Sequence, residues 1–212
     1  MMKNLFLVFI CLSNAFVVNS QIKEVKVGCK IGANFLLTQG VEDNRSFQGK
    51  TLYHAGVTSE FIIGIKKKFS LQTELLFSAQ GFSETYYDDQ IYQLNQFEEE
   101  ILLNYLSLPI MAKYKFNEHF GVEVGPYLSY LISEKRNLDV LKGSAIFHPD
   151  NKYFIWNKDF GIILGINYQL NKLLNINFRY NYGLLDIVEF NDYNTQMFQF
   201  SIAYIPKQKH IK

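Results

Sequence analysis

The chain has 212 residues and a formal net charge of +1, with 21 Lys and Arg against 20 Asp and Glu. This length fits one domain of moderate size. A charge so close to zero excludes a basic protein that attracts nucleic acid. After the N-terminal region, no uninterrupted run of 18 or more apolar residues occurs, so no transmembrane helix is predicted.

The N-terminus has the pattern of a secretory signal peptide. Lys3 precedes the apolar run LFLVFICL (Leu5 to Leu12), and VNS (Val18 to Ser20) offers small or moderate residues before a cleavage point. A positive start, an apolar core and a short cleavage region define such a peptide. We therefore predict a signal peptide over residues 1–20 and one mature domain over residues 21–212.

The two cysteines indicate neither a lipid anchor nor a disulfide. Cys11 lies in the apolar core of the predicted signal peptide and follows Ile10, which is not the small residue expected at a lipoprotein attachment site. Cleavage leaves Cys29 as a lone cysteine, which cannot form an intrachain disulfide. The exported domain is therefore expected to be held together by other interactions.

Eight segments of the mature chain alternate apolar with polar or small residues, or permit that alternation. A period of two predicts β-strands with one apolar face. In chain order the segments are Lys26–Leu37, Leu52–Ile65, Phe69–Phe82, Ile101–Phe116, His119–Ile132, Ile155–Leu170, Leu173–Leu185 and Thr195–Ile205.

The fourth and fifth segments show the alternation most clearly, in NYLSLPIMAKYKFNEHFGVEVGPYLSYLI. The residues at every second position form one parity, which is almost purely apolar. The residues between them form the other parity, which mixes small, polar and charged residues. The break at Asn117 predicts a hairpin turn. Pro109 and Pro126 fall inside these strands, where each removes a ladder donor; bulges at the two prolines are one way to accommodate them.

The connections between the segments alternate in length without exception. Membrane barrels have this asymmetry, with tight periplasmic turns and long outer loops, and the even strand count returns both termini to the short-turn side. The short connections are Lys66 to Lys68, Asn117-Glu118 and Asn171-Lys172. The long connections are Thr38 to Thr51, Ser83 to Glu100, Ser133 to Phe154 and Asp186 to Asn194.

Two architectures fit eight alternating strands: a transmembrane β-barrel and a soluble carrier of the lipocalin kind. A soluble barrel turns its apolar face inward and shows water a face rich in Lys and Glu. Here the second parity is rich in glycine, serine and amides, with few and nearly balanced charges. That composition favours the packed polar interior of a narrow membrane barrel. We therefore predict an all-β, eight-stranded, antiparallel up-and-down transmembrane β-barrel.

Aromatic residues of the apolar parity fall into two groups, as in the two interfacial belts of a lipid-facing wall. Aliphatic residues such as Ile110, Val124 and Leu164 lie between the groups. The group beside the short turns is Phe69, Tyr114, Phe116, Phe120, Tyr168 and Tyr204. The group toward the long loops is Phe35, Phe77, Tyr130, Tyr180 and Tyr182.

The hairpin NYLSLPIMAKYKF…FGVEVGPYLSYLI resembles the central hairpin of the PorT-like outer-membrane β-barrel family, with its Tyr-Leu-x-x-Pro strand and its Gly-x-x-x-Gly-Pro-Tyr strand. The early VGCKIGANF and the late FGIILGINYQLNKLLNINFRYNYGL are similar to that family's first strand and penultimate hairpin. The resemblance covers nearly the whole mature chain. It implies a location in the outer membrane of a Gram-negative bacterium and carries over no catalytic residues. PKQKHIK after Tyr204 departs from the terminal aromatic common in the family.

No catalytic, cofactor or metal site is predicted. His54, His119, His148 and His210 are spread over a strand, a turn, a loop and the tail, without a metal-ligand spacing. The nearest approach to an acid–base pair is His148 with Asp150 in the third long loop, which Asp88 and Asp89 of the second loop could join. An enzyme is not predicted, because such a claim needs geometry first.

Seven charged residues share the inward parity and form the candidate functional set. They can pair as a salt-bridged plug or line a path for ions or solutes, and the narrow interior of eight strands favours the plug. The residues are Lys30, Glu60, Glu74, Lys113, Glu123, Asp159 and Arg179. The predicted role is structural or interactive, in contact with outer-membrane lipid and with a possible envelope or secretion-machinery partner. The alternative is a narrow channel or small-molecule binder.

Overall fold

The computed structural model describes residues 22–37, 39–42, 45–64, 66–88, 95–142, 157–186 and 194–206. Within these ranges every regular element is a β-strand, and no helix is long and apolar enough to cross a membrane. The strands are β1 (Ile22–Leu36), β2 (Gln39–Glu42), β3 (Arg45–Gly49), β4 (Thr51–Ile63), β5 (Phe69–Asp88), β6 (Asn95–Lys115), β7 (Phe120–Lys142), β8 (Lys158–Gln169), β9 (Leu174–Asp186) and β10 (Asn194–Tyr204).

The eight longer strands form a closed ring of antiparallel pairings. Each pairs with its neighbours in the order β1, β4, β5, β6, β7, β8, β9, β10, and β10 pairs again with β1. The predicted all-β, antiparallel, up-and-down order is confirmed. The predicted count of eight strands is corrected to ten among the described residues. The additional β2 and β3 form a hairpin inside the predicted connection Thr38 to Thr51, and β3 pairs with β5.

Three short turns lie at one end of the ring, as predicted. In two of them an asparagine fixes the turn because its side-chain oxygen accepts two backbone N–H groups. Asn117 Oδ1 accepts from His119 and Phe120 at 2.9 and 2.7 Å. Asn171 Oδ1 accepts from Leu173 and Leu174, both at 2.8 Å.

Two predicted long loops are partly strand. The predicted loop Ser83 to Glu100 is corrected, because the β5–β6 ladder continues to the pair Asp88 and Asn95. The first part of the predicted loop Ser133 to Phe154 belongs to β7, which ends at Lys142. Backbone hydrogen bonds sustain these extensions, whereas the sequence argument required alternating apolar side chains. The side chains that the extensions bury, such as Ser83, Glu84 and Glu99, are polar.

Pro109 and Pro126 lie inside strands without a bulge. Pro109 is opposite Tyr127, and the β6–β7 register is the same at the later pair of Ala112 and Val124. Pro126 is opposite Ile162 of β8. The register shifts between β6 and β7 occur elsewhere, at Gln96/Phe97 and Asn104/Tyr105. The suggestion of bulges at the prolines is therefore wrong.

The two faces of the ring are opposite in character to those of a soluble barrel. Apolar side chains such as Leu164 (56% exposed), Ile110 and Val124 point outward, and polar side chains fill the interior. This contradicts the alternative of a lipocalin-like carrier, which needs an apolar lumen. Inside, the described apolar clusters are small: Phe82, Ile101, Leu103 and Tyr105 form one, and Met111, Tyr127 and Ile163 form the other.

Outward-facing aromatic rings contact each other beside the short turns. The ring of Tyr114 lies 4.9 Å from that of Phe69 and 5.3 Å from that of Phe116, and Phe120 lies 5.9 Å from Tyr168. These side chains belong to the first predicted aromatic group. Aromatic rings at this level, among them the amphipathic rings of Tyr114 and Tyr168, suit the boundary between lipid and water.

Candidate functional site

Glu74 of β5 lies at the centre of a buried charge network in the lumen. Its carboxylate accepts hydrogen bonds from Lys30 Nζ at 2.6 Å and from Arg179 Nη1 and Nη2 at 2.7 and 2.9 Å. Gln72 Nε2 donates to the same carboxylate. All four side chains are buried. Two parallel N–H bonds from one guanidinium define both the position and the orientation of the arginine.

Arg179 also binds a second carboxylate, that of Glu123 on β7, two strands away in the ring. Its Nε donates to Glu123 Oε1, and both groups are buried. Gly165 of β8 lies between the two strands, opposite both Glu123 and Arg179. A Cβ at Gly165 would stand 2.9 Å from Arg179 Cγ and 3.0 Å from Glu123 Cγ. The glycine therefore provides the space that the ion pair occupies.

The network continues toward the short-turn end through Lys113 of β6. Lys113 Nζ donates to Gln72 Oε1 at 2.7 Å and lies 3.5 Å from Glu60 Oε1. Ser70 donates to the same Glu60 oxygen at 2.7 Å. Lys115, near the rim, lies 3.9 Å from it. A continuous chain of polar contacts thus runs from the short-turn rim to the middle of the lumen.

The structure brings together six of the seven predicted residues, and their strands surround the lumen. The six are Lys30, Glu60, Glu74, Lys113, Glu123 and Arg179. They come from β1, β4, β5, β6, β7 and β9. Because β5 and β9 are four places apart in a ring of eight, the contact between Arg179 and Glu74 spans the lumen.

Asp159 is the exception, and its predicted pairing with a lumen cation is corrected. Its Oδ2 accepts hydrogen bonds from Tyr127 and from Thr195, both at 3.0 Å. Asp159 lies near the start of β8, six residues before Gly165, which marks the level of Arg179. That separation corresponds to about 20 Å along a strand. The carboxylate is too far from the network to join it.

A second buried cluster, centred on Asn34, was not predicted. Asn34 Oδ1 lies 2.7 Å from His54 Nδ1 and accepts from Gln199 Nε2 at 2.9 Å, and Asn34 Nδ2 donates to Ser78 at 3.0 Å. Because Asn34 Oδ1 can only accept, His54 Nδ1 carries the proton. The alternation along β4 could have identified His54 as an inward residue, since it lies on the same face of the strand as Glu60.

The buried charges of the network balance one another in number. Three cations face three carboxylates, and each cation contacts at least one of them. In the described part of the chain, no group of three or more His, Cys, Asp or Glu side chains could hold a metal ion. The predicted loop residues His148, Asp150 and Asp89 lie outside the described ranges. The arrangement is therefore suited to closing and stabilising the lumen.

Several solved structures resemble this chain at low sequence identity. Ail of Yersinia pestis shares 9% identity with a TM-score of 0.45, covering 87% of this chain and 99% of its own. Neisserial surface protein A shares 10% with a TM-score of 0.41, covering 85% and 96%. OprG of Pseudomonas aeruginosa shares 10% with a TM-score of 0.39, covering 87% and 95%. No curated protein matches the sequence.

The comparison with protein families identifies the family of the chain. The model of the family described as outer membrane protein beta-barrel domain matches residues 18–189, well over half of the 212-residue chain. The match is to this broader family, and the narrower PorT-like class stays a prediction. The polar lumen and apolar outer wall are those of such a barrel. The chain therefore belongs to the outer membrane protein beta-barrel domain family.

Proposed function

We propose that this protein is a non-enzymatic outer-membrane barrel with a plugged lumen, whose role is structural or interactive. The observation that carries the proposal is the contact of Arg179 with Glu74 across the lumen. The interior of an eight-stranded barrel is just wide enough to be filled by side chains. A buried ion pair between opposite strands therefore leaves no continuous aqueous path at that level.

The plug is costly to open. Arg179, Glu74 and Glu123 are all nearly inaccessible to water. Separating one charge from a buried pair leaves the other uncompensated, at a cost of about 3–5 kcal/mol. The Asn34 cluster, with His54, adds a second layer of buried polar contacts. Passage of a solute would require both layers to rearrange.

The strand extensions support an interaction role at the long-loop end. β5, β6 and β7 continue as a paired sheet to Asp88, Asn95 and Lys142. Ion pairs reinforce it: Lys50 contacts Glu100, and Arg136 lies 3.9 Å from Glu99. In outer-membrane barrels this end faces outward. A rigid sheet there is a suitable platform for an envelope or external partner.

The proposed location of the protein is the outer membrane, as for the family. Members span the outer membrane, and the predicted signal peptide over residues 1–20, outside the described ranges, supplies the route of export. The apolar wall, with Leu164 and Ile162 exposed, is matched to lipid. The proposal accordingly includes outer-membrane lipid as the surrounding medium.

Single-channel recording in planar bilayers tests the plug. The unaltered protein is expected to give no conductance steps. A variant carrying Arg179→Ala, Glu74→Ala and Glu123→Ala removes the cross-lumen contacts and is expected to give small steps. Glu118→Ala with Lys172→Ala, which removes an exposed carboxylate and an exposed ammonium at the rim, is the control. Reproducible, ion-selective steps from the unaltered protein would replace the plug with the narrow channel.

A further inference from the structure

A basic cavity of about 700 Å³ opens at the short-turn end of the lumen. This volume falls within the roughly 300–1,000 Å³ typical of small-molecule sites. Six lysines and two glutamates are among its lining residues, which formally gives an excess of four positive charges. The lysines are Lys26, Lys66, Lys67, Lys68, Lys115 and Lys172; the glutamates are Glu24 and Glu118.

The glutamates do not neutralise this charge. Glu24 is shared between Lys67, whose Nζ lies 3.0 Å from its carboxylate, and Lys26 at 3.8 Å. Among the described residues, Lys66, Lys68 and Lys172 have no carboxylate within ion-pair distance. These three ammonium groups are therefore available to a ligand.

The asparagines that line the cavity add donors rather than acceptors. The side-chain oxygens of Asn117 and Asn171 are each occupied by two backbone N–H groups of their turns. Their amide nitrogens are left as the polar groups with free capacity. Lysine ammonium groups also only donate. The lysines and asparagines of the lining thus present donors and positive charge together, which suits an oxyanion with several acceptor oxygens.

We infer that this cavity binds a multivalent phosphate-bearing anion, either a free solute on the periplasmic side or a lipid headgroup. A monovalent carboxylate would leave most of the excess charge uncompensated, whereas a phosphate or pyrophosphate group carries several charges and compact acceptor oxygens. Charge-assisted hydrogen bonds from ammonium to such oxygens are among the stronger polar contacts in proteins. The site does not depend on whether the lumen above it conducts.

The cavity is connected to the plug through Lys115. This lysine lines the cavity and also lies 3.9 Å from Glu60, which contacts Lys113 of the buried network. A bound anion competes with Glu60 for Lys115. Occupancy of the cavity therefore acts on the first contact of the polar chain that leads to Arg179.

Titration calorimetry with pyrophosphate tests the inference on the folded barrel in a nonionic detergent. Lys68→Gln with Lys172→Gln is expected to weaken binding at least tenfold. Lys135→Gln with Lys158→Gln removes the same charge from exposed positions outside the cavity lining and is expected to change affinity less than twofold. Glu118→Gln is expected to tighten binding a few-fold, because it removes a carboxylate from the rim.

Heat-modifiable gel mobility verifies that each variant is folded before it is titrated. Nanodiscs with and without cardiolipin, whose headgroup carries two phosphates, then distinguish the sources: competition between this lipid and pyrophosphate identifies a headgroup, and its absence identifies a free solute. Equal weakening by the two lysine pairs, or no saturable pyrophosphate binding by the unaltered protein, overturns the inference.

Discussion

Arg179 of β9 donates two hydrogen bonds across the lumen to Glu74 of β5, its diametrically opposite strand. The residues are 105 positions apart in the chain. Their contact therefore forms only after both halves of the ring are in place. It ties ring closure to the filling of the lumen, so that the barrel's stability and the proposed plug depend on the same side chains.

Removing the guanidinium is expected to destabilise the barrel strongly. Arg179→Gln leaves Glu123 buried without its cation, at a cost of about 3–5 kcal/mol in the free energy of unfolding. Adding Glu123→Gln should recover part of the loss, because the uncompensated charge is removed. Urea titration of the refolded protein in micelles measures both changes. Lys172→Gln, at an exposed turn, is the control, and a loss no larger than the control's would contradict a desolvated pair.

A methyl group at Gly165 is expected to be poorly tolerated. Its Cβ would contact Arg179 Cγ at 2.9 Å and Glu123 Cγ at 3.0 Å. Overpacking of this kind costs about 1–3 kcal/mol, so Gly165→Ala should unfold at a lower urea concentration. Ile166→Val, on the outer wall of the same strand, should behave almost like the unaltered protein. Equal midpoints for the two variants would show that the lumen has unused space beside Gly165.

Arginine on the outer wall is expected to cost more in mid-strand than at the rim. Leu164 and Leu170 are both exposed apolar residues, at 56% and 53%, but Leu170 directly follows β8 at a short turn. Leu164→Arg should lower the free energy of unfolding in lipid vesicles by about 2–4 kcal/mol, and Leu170→Arg by about 0–1 kcal/mol. Similar losses in vesicles and detergent at both positions would argue against a lipid-facing wall.

The hydrogen bonds from Tyr127 and Thr195 to Asp159 are expected to stabilise the long-loop half of the lumen. Tyr127→Phe removes one of the two hydroxyl groups that hold Asp159 Oδ2. Leaving a buried acceptor without this partner costs about 1–3 kcal/mol. Tyr130→Phe, exposed on the same strand, serves as the control in thermal unfolding followed by gel mobility. If the two substitutions have the same small effect, Asp159 is satisfied in another way.

The sequence by itself determined the eight longer strands, their order around the ring and their two faces, but not the β2–β3 hairpin. Side chains alternate across a strand, so Lys30, Glu60, Glu74, Lys113, Glu123 and Arg179 could be assigned to one side from parity alone. The short turns at Asn117 and Asn171 could also be predicted from neighbouring residues, because an asparagine that bonds to nearby backbone groups needs no distant partner. The extensions of β5, β6 and β7 escaped prediction because backbone pairing with a neighbour holds them, without an alternating pattern.

Only the tertiary structure decided which inward residues meet. Parity gives a face but neither a height along the barrel nor a position around it. Asp159 and Arg179 share the inward face and still do not meet, since the ring's register sets them far apart. His54 and Asn34 do meet, although they carry no motif, because β1 and β4 place them at the same level. Strand register and ring closure, which are long-range backbone properties, therefore determine which charges pair in the lumen.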